Sequence, residues 1–200
     1  MKINNVEIGL DYDPVIIAEM SGNHNQSLER ALQIVDAAAE SGAQILKLQT
    51  YTADTITLNV ERDEFVISDE KSLWSGRSLY SLYQEAHTPW EWQKEIIQHA
   101  VEKGVECFSS VFDESSVEFL ESVNIAAYKL ASQEIVHLPL IQEVALTGKP
   151  MVMSTGMASL AEIDEAVNAV RKVGNSEIAL LKCTSSYPAT AENSNVLTIP

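Results

Sequence analysis

Positive charge is scarce in this chain. Its 200 residues include 13 Lys and Arg against 29 Asp and Glu, which gives a formal net charge of −16. A surface of this sign repels nucleic acid and anionic membranes, so the sequence predicts neither class of partner. Any lysine inside an apolar segment stands out against this background.

Cysteine is also rare, and long apolar runs are missing. Cys107 and Cys183 have no CxxC partner, so we predict reduced core thiols rather than a disulfide or a metal site. No stretch of about 20 apolar residues could span a bilayer, and the Met-Lys-Ile-Asn-Asn start has no apolar signal region. We therefore expect a cytoplasmic protein. Because no Pro/Gly/Ser-rich linker interrupts the chain, we also expect a single domain.

Short β-branched runs alternate with amphipathic helices, a pattern typical of parallel strands joined by helical crossovers. Strands are predicted over 14–20, 43–50, 105–112, 126–132, 150–155 and 178–185. Helix N-caps are predicted at Ser27, Thr88, Asp113 and Ser159, and helix ends at Gly42, Gly104, Gly148 and Gly174. The helix after Thr88 is predicted to bury Ile96, Ile97, Ala100 and Val101.

Polar residues appear at the carboxyl end of every predicted strand, whereas a doubly wound sheet would gather them at one switch point. Within the α/β class, this pattern favours a (β/α)8 TIM barrel. The chain would supply about the first six βα units of the eight. We therefore interpret residues 1–200 as an incomplete N-terminal barrel domain.

Three lysines lie on predicted buried strands: Lys47, Lys129 and Lys182. Lysine is almost never fully buried unless it is paired, so the pattern indicates a shared anionic ligand at the carboxyl ends of the strands. A Schiff-base nucleophile is the alternative for Lys47 or Lys129, and an outward, salt-bridging position is the alternative for Lys182.

Carboxylates also lie at this predicted rim. Glu19 and Glu134 can exchange protons with a substrate or hold its hydroxyls, or they can be structural partners of the lysines. His24 follows the first barrel strand, and no two histidines have a metal-ligand spacing. The long connection 51–88, with Trp74, Tyr80 and Tyr83, is either an active-site flap or a packed surface excursion.

Six segments lie in order at the ends of the predicted strands. They are Ile-Ile-Ala-Glu-Met-Ser-Gly-Asn-His-Asn (16–25), Lys-Leu-Gln-Thr-Tyr (47–51), Phe-Ser-Ser-Val-Phe-Asp (108–113), Ala-Tyr-Lys-Leu-Ala-Ser-Gln-Glu (127–134), Met-Ser-Thr-Gly-Met-Ala (153–158) and Lys-Cys-Thr-Ser-Ser-Tyr-Pro (182–188). Together they resemble the sialic acid synthase family. Within the family, segments 73–80 and 85–92 and the Ser-Gly-Asn-His segment (21–24) look most like pseudaminic acid synthases.

The resemblance implies condensation of phosphoenolpyruvate with the open-chain aldehyde of an N-acetylated hexose, with release of phosphate. The implied phosphoenolpyruvate-binding residues are Lys47, Ser110, Lys129, Ser132, Ser154, Ser185 and Tyr187. The implied sugar-binding residues are Gln49, Asn23 and Glu19, and the implied catalytic residues are Glu134 and Glu19. Ser185 and Ser110 stand where neuraminate synthases commonly have Asn and Thr.

The resemblance also implies a divalent metal, manganese or magnesium, whose two histidine ligands are expected after Pro200, with no metal ligand in this chain. A homodimer capped by an antifreeze-like C-terminal domain is implied as well. We expect the acceptor to be 2,4-diacetamido-2,4,6-trideoxy-altrose, the precursor of pseudaminic acid. Open alternatives are an N-acetylneuraminate or legionaminate synthase, a Schiff-base aldolase, and a non-catalytic barrel fragment.

Overall fold

A curled, all-parallel sheet forms the centre of the protein. The computed structural model describes residues 1–70, 72–185, 189–195 and 197. A short antiparallel hairpin, β1 (Lys2–Ile3) and β2 (Val6–Glu7), precedes the sheet. The sheet strands are β3 (Ile17–Glu19), β4 (Ile45–Thr50), β5 (Glu106–Val111), β6 (Tyr128–Leu130), β7 (Met151–Ser154) and β8 (Ile178–Leu181).

The order of the sheet equals the order of the chain, from β3 to β8, with every neighbouring pair parallel. A doubly wound sheet would reverse its strand order at a switch point, whereas a TIM barrel adds each strand beside the last. The predicted fold class is therefore confirmed: the protein is α/β, with consecutive βα units of the TIM-barrel type. All six predicted strands are present, with shorter bounds.

Helices connect the strands. They are α1 (Leu28–Glu40), α2 (Ala53–Ile56), α3 (Leu79–Ala86), α4 (Trp90–Glu102), α5 (Glu114–Ser122), α6 (Leu138–Leu146) and α7 (Leu160–Lys172), with 3-10 turns at Asp63–Phe65, Gln133–Val136 and Ala191–Asn193. Along the described part of the chain, every helix is too short or too polar to cross a membrane.

Most of the predicted helix boundaries are confirmed. Ser27, Asp113 and Ser159 each accept a hydrogen bond from a backbone N–H in the first turn of their helix. Gly42, Gly104, Gly148 and Gly174 follow helices with φ between 72° and 89°, a backbone region in which a side chain would be strained.

Two predictions about α4 were wrong. Thr88 does not cap the helix, which begins after Pro89, because its hydroxyl hydrogen-bonds the ring of His24. Val101 was predicted to be buried but is 55% exposed, whereas Ile96 and Ala100 are buried. The apolar stripe is therefore narrower than the sequence suggested.

Two apolar clusters hold the fold together. One lies between the sheet and the helices and includes Leu46 and Leu48 of β4. The other lies on the opposite face and joins Ile45, Phe108 and Ile3, so the N-terminal hairpin packs on the inner face of the sheet. Because side chains alternate along a strand, Lys47 and Gln49 share the inner face with Ile45.

Candidate active site

The carboxyl ends of the parallel strands bring the predicted site residues to one edge of the sheet. Glu19 is the register partner of Lys47, and Gln49 is the partner of Ser110, which in turn pairs with Lys129. Residues in register on neighbouring strands lie about 5 Å apart. Residues from four predicted segments therefore meet on the inner face.

Lys129 is the most buried charged residue at this edge, with 6% of its surface exposed. Its Nζ donates to the carbonyl oxygen of Leu130 at 2.5 Å and to Ser154 Oγ at 2.6 Å. Burial, followed by the nearby charge of Lys47, lowers the pKa of Lys129 to about 8. No carboxylate within salt-bridge distance of Lys129 Nζ is found among the described residues. A bound anion would therefore raise the pKa of Lys129 back toward its ordinary value.

Lys47 and Glu19 form an ion pair with an Nζ–Oε1 distance of 2.6 Å. The lysine side chain is 14% exposed and the glutamate side chain is 50% exposed. Glu19 thus holds Lys47 in place at the rim, which is the structural role that the sequence left open.

Serine hydroxyls surround a glycine beside Lys129. The backbone N–H of Gly156 donates to Ser132 Oγ at 3.2 Å. A Cβ placed on Gly156 would lie 2.2 Å from Ser185 Oγ and 2.8 Å from Ser132 Oγ. Only a residue without a side chain fits between these two hydroxyls, so Gly156 brings them together. Sequence reasoning did not single out Gly156, although its place in Ser-Thr-Gly directly after a strand was an available signal.

The predicted anion-binding residues therefore come together. We call this group the lysine–serine cluster; it consists of Lys47, Ser110, Lys129, Ser132, Ser154 and Ser185. Ser110 is 2% exposed and lies in register with Lys129. Tyr187, also predicted, lies outside the described residues. Lys182 is exposed and donates to Thr184 Oγ1 at 3.1 Å and to the carbonyl of Ser194, so it is not part of the cluster.

A pocket of about 970 Å³ opens beside the cluster. Three predicted residues, Asn23, Gln49 and Glu134, line it. Its remaining lining comes from the loop after β3, from residues 51–86, and from Phe112, Ala131 and Gln133. This pocket is large enough for a monosaccharide with substituents.

Glu134 combines burial with an unpaired oxygen. Its Oε2 is buried and has no hydrogen-bond partner in the part of the chain that the structure describes. Desolvation raises the pKa of Glu134, although the charge of Lys129 acts in the opposite direction. A carboxyl group with a raised pKa is suited to give a proton to a substrate oxygen near neutral pH.

Gln49 offers hydrogen-bond donors to the pocket, and Asn23 offers an acceptor. Gln49 Oε1 accepts from Ser21 Oγ at 2.9 Å, which leaves its amide N–H groups for a ligand. Asn23 Nδ2 donates to the carbonyl of Met20 at 2.9 Å, which leaves its Oδ1 as an acceptor. Together they match the C=O acceptor and N–H donor that an acetamido group offers.

The long connection folds over this pocket. Trp74 and Tyr83 line the pocket, but Tyr80, the third aromatic residue predicted for this connection, does not, and neither does Trp90. Tyr80 Oη donates to Asp54 at 2.9 Å, and Trp90 packs on Phe119 at 4.9 Å between ring centroids. The predicted Tyr83 joins Tyr51 and Phe112 in the aromatic wall of the pocket, where Tyr51 packs edge-on against the other two.

The described residues do not fit a metal ion. No three His, Cys, Asp or Glu side chains come together among them as a set of ligands. Cys107 is buried, and burial raises its pKa to about 12, which keeps it a thiol. The manganese or magnesium ion expected from the resemblance stays a prediction about residues after Pro200.

The model of the NeuB family matches residues 34–200. The chain belongs to the NeuB family. This NeuB-family chain is 45% identical over 186 residues to pseudaminic acid synthase of Helicobacter pylori, which covers 93% of this chain and 54% of that protein. It is 40% identical over 196 residues to pseudaminic acid synthase of Campylobacter jejuni, covering 98% and 56% respectively. The chain therefore spans about half the length of these curated relatives.

Solved structures agree with this family assignment. N-acetylneuraminic acid synthetase from Leptospira borgpetersenii, solved in complex with citrate, superposes with a TM-score of 0.83 at 27% identity, over 100% of this chain and 64% of that one. The spore coat polysaccharide biosynthesis protein SpsE of Bacillus subtilis superposes with a TM-score of 0.76 at 36% identity, over 95% and 49%. The predicted family is thus confirmed.

Proposed function

We propose that the full-length protein condenses phosphoenolpyruvate with the open-chain aldehyde of an N-acetylated amino sugar. The products are a nine-carbon 2-keto acid and inorganic phosphate, as expected of a pseudaminic acid synthase. One observation carries the proposal: the lysine–serine cluster, in which Lys129 has no carboxylate partner among the described residues, adjoins a sugar-sized pocket containing a buried carboxyl group.

The lysine–serine cluster would hold the phosphate and carboxylate of phosphoenolpyruvate. Lys47 and Lys129 supply positive charge, and the hydroxyls of Ser132 and Ser185 supply neutral donors around Gly156. Since Ser132 Oγ already accepts from the Gly156 N–H, its own O–H is free to donate to an anion. Tyr187, outside the described residues, remains part of this proposal.

The pocket residues would hold and activate the acceptor. Gln49 and Asn23 bind acetamido or hydroxyl groups, and Glu19 lies at the same rim through its contact with Lys47. In the reaction, the methylene carbon of phosphoenolpyruvate forms a bond to the aldehyde carbon while the aldehyde oxygen takes a proton. Glu134, whose carboxyl pKa is raised by desolvation, would supply that proton. Water then adds to the former enol carbon and gives one proton back to the Glu134 carboxylate. The C–O bond to phosphate breaks as the new hydroxyl becomes the ketone, and its proton goes to the departing phosphate.

We assign the acceptor as a 6-deoxy hexose with two acetamido groups. Apolar residues in the pocket wall, Ile56, Leu82, Trp74 and Phe112, suit a methyl group and acetyl methyls better than a fully hydroxylated chain. The names of the Helicobacter and Campylobacter relatives support the same assignment.

The test measures phosphate release from phosphoenolpyruvate by the full-length protein with either acceptor present. We expect turnover with the diacetamido 6-deoxy sugar and little with N-acetylmannosamine. Equal or better turnover of N-acetylmannosamine would replace this acceptor assignment while leaving the condensation intact. No phosphate release with any acetylated hexose would refute the condensation itself. The assay would contain the proposed divalent metal. We also propose that the full-length protein is a homodimer.

A Schiff-base aldolase is the second candidate, and the lowered pKa of Lys129 favours it. However, Lys129 Nζ is held by two hydrogen bonds next to Lys47, an arrangement suited to an anion. Borohydride in the presence of pyruvate distinguishes the two chemistries. A covalent adduct on Lys129 would favour the aldolase, whereas an unmodified Lys129 in an active protein would exclude it.

A further inference from the structure

Two segments far apart in sequence form one wall of the pocket. Gly22, Asn23 and Gln26 belong to the loop between β3 and α1, residues 20–27, and line the pocket. Glu85 and Ala86, at the end of α3, line it from the other side. The shape of this wall therefore depends on how the two segments are joined.

The β3–α1 loop has an unusual backbone. Ser21, Asn25 and Gln26 have φ values of 48°, 47° and 55°. For residues other than glycine this left-handed region is unfavourable, so the surrounding contacts must hold the loop in place. A loop of this kind would relax if those contacts were removed.

His24 lies in the middle of these contacts and is fully buried. The backbone N–H of Gln26 donates to His24 Nδ1 at 3.2 Å. Because Nδ1 accepts, Nε2 carries the hydrogen of the neutral ring and donates to Thr88 Oγ1 at 3.0 Å. Burial, with the nearby His87, lowers the pKa of His24 and favours this neutral form. The ring also packs edge-on against Trp92 at 5.8 Å.

Close packing and further hydrogen bonds join the same segments. A Cβ on Gly22 would lie 2.8 Å from the carbonyl oxygen of Ala86. Gln26 Nε2 donates to the carbonyls of Glu85 and His87 at 2.8 and 2.7 Å. The loop is thus attached to the end of the long connection at several points, and His24 contacts both sides through its two ring nitrogens.

We propose that His24 is a positioning residue that fixes the acceptor side of the pocket by joining residues 20–27 to Thr88. It contacts no reacting atom; it keeps Asn23 and the wall formed with Ala86 in the geometry that the acceptor needs. The inference deepens the proposed function and rests on it for its kinetic consequences.

Three substitutions separate the contributions of the ring. His24→Asn keeps an acceptor for the Gln26 N–H, His24→Gln keeps a donor for Thr88, and His24→Phe keeps only the shape. We expect His24→Phe to raise the KM for the acceptor about tenfold and the other two to raise it about threefold, as for the loss of both or one of the hydrogen bonds. The KM for phosphoenolpyruvate should stay within about twofold, because the lysine–serine cluster lies on other strands.

Thr88→Val provides an independent variant should His24→Phe fail to fold. Combined with His24→Phe, it should raise the acceptor KM no further than His24→Phe alone, because both remove the same hydrogen bond. His99→Phe is the matched control: this histidine bonds Asp36 at 2.9 Å between α4 and α1 and does not line the pocket, so both KM values should stay unchanged.

Hydrogen–deuterium exchange tests the inference without turnover. In His24→Phe and Thr88→Val, exchange should speed up in residues 20–27 and 85–88 together, but not in β6 or β7. Unchanged exchange there, or KM values that rise equally for both substrates, would overturn the role of His24. A wild-type protein without turnover would refute the proposed function, and the exchange measurement alone would then decide about His24.

Discussion

Removing the charge of Lys129 should weaken the use of phosphoenolpyruvate without weakening the fold. We consider Lys129→Met, which keeps much of the side-chain volume, together with Lys129→Ala. A charge-assisted contact in a desolvated site contributes on the order of 1.5–3 kcal/mol. Since about 1.4 kcal/mol is a factor of ten, the KM for phosphoenolpyruvate should rise at least about tenfold. The KM for the acceptor should change much less.

The buried charge of Lys129, which would favour binding of an anion, destabilises the folded protein. The pKa of Lys129 is about 8 rather than the 10.5 of a free lysine. Because each pKa unit corresponds to about 1.4 kcal/mol, burying the charged ammonium costs the folded state roughly 3 kcal/mol at pH 7. In Lys129→Met this cost disappears, but the Leu130 carbonyl and Ser154 Oγ each lose a hydrogen-bond donor. Each lost hydrogen bond offsets about 1 kcal/mol of the gain in stability. The free energy of unfolding should therefore be unchanged or slightly higher.

Two measurements on the full-length protein check this prediction: phosphate release at varied phosphoenolpyruvate, and chemical unfolding. Lys149→Met is the control, because Lys149 pairs with Glu121 at 2.7 Å and lies outside the pocket. An unchanged KM for phosphoenolpyruvate in Lys129→Met would show that the lysine has no role toward the anion. A loss of several kcal/mol of stability would show that it is a structural residue.

Three further predictions concern the same site. First, the KM for phosphoenolpyruvate should rise as the pH rises through about 8, because Lys129 then loses its proton, and a pH-independent KM between pH 7 and 9 would contradict this. Second, Glu134→Gln should lower kcat by about 10²–10⁴ with little change in either KM, because the amide keeps the shape but has no acidic proton; a kcat near that of the wild type would exclude it as the acid. Third, Gly156→Ala should raise the KM for phosphoenolpyruvate at least about tenfold, because its Cβ would displace Ser185 and Ser132, whereas a wild-type KM would mean that these hydroxyls do not bind the anion.

The strands and most of the rim could be predicted because their signals are local. Alternating apolar segments and glycine stops depend on a few neighbouring residues, and the parallel arrangement then places the strand ends at one edge. The positions of Lys47 and Lys129 toward the carboxyl ends of buried strands therefore followed from the sequence, and strand parity places Lys47 with Gln49 on the inner face. The partnership of Glu19 with Lys47 follows from the strand register, which the sequence did not specify.

The missed features depend on contacts between distant parts of the chain. Thr88-Pro-Trp-Glu had the composition of a helix cap, but the buried ring of His24, 64 residues earlier, takes the hydroxyl. A buried imidazole without a partner is costlier than a helix end that lacks a capping side chain. The contacts of Tyr51 with Phe112 and with the predicted Tyr83 likewise exist only because the long connection folds back. The hairpin of β1 and β2, by contrast, has a local signal, an Asn-Asn pair between Ile3 and Val6.

The two halves of the proposed site differ in how the chain holds them. The lysine–serine cluster lies mainly on strand ends that are fixed by the sheet, where desolvation strengthens the attraction to an anion. The acceptor wall comes mainly from the β3–α1 loop and residues 51–86, which are fixed by side-chain contacts such as those of His24 and Gln26. Changes in these connecting segments can reshape the acceptor wall without moving the strands. Under the proposed function, a fold of this kind would keep one way of binding phosphoenolpyruvate while its loops adapt to different acetylated sugars.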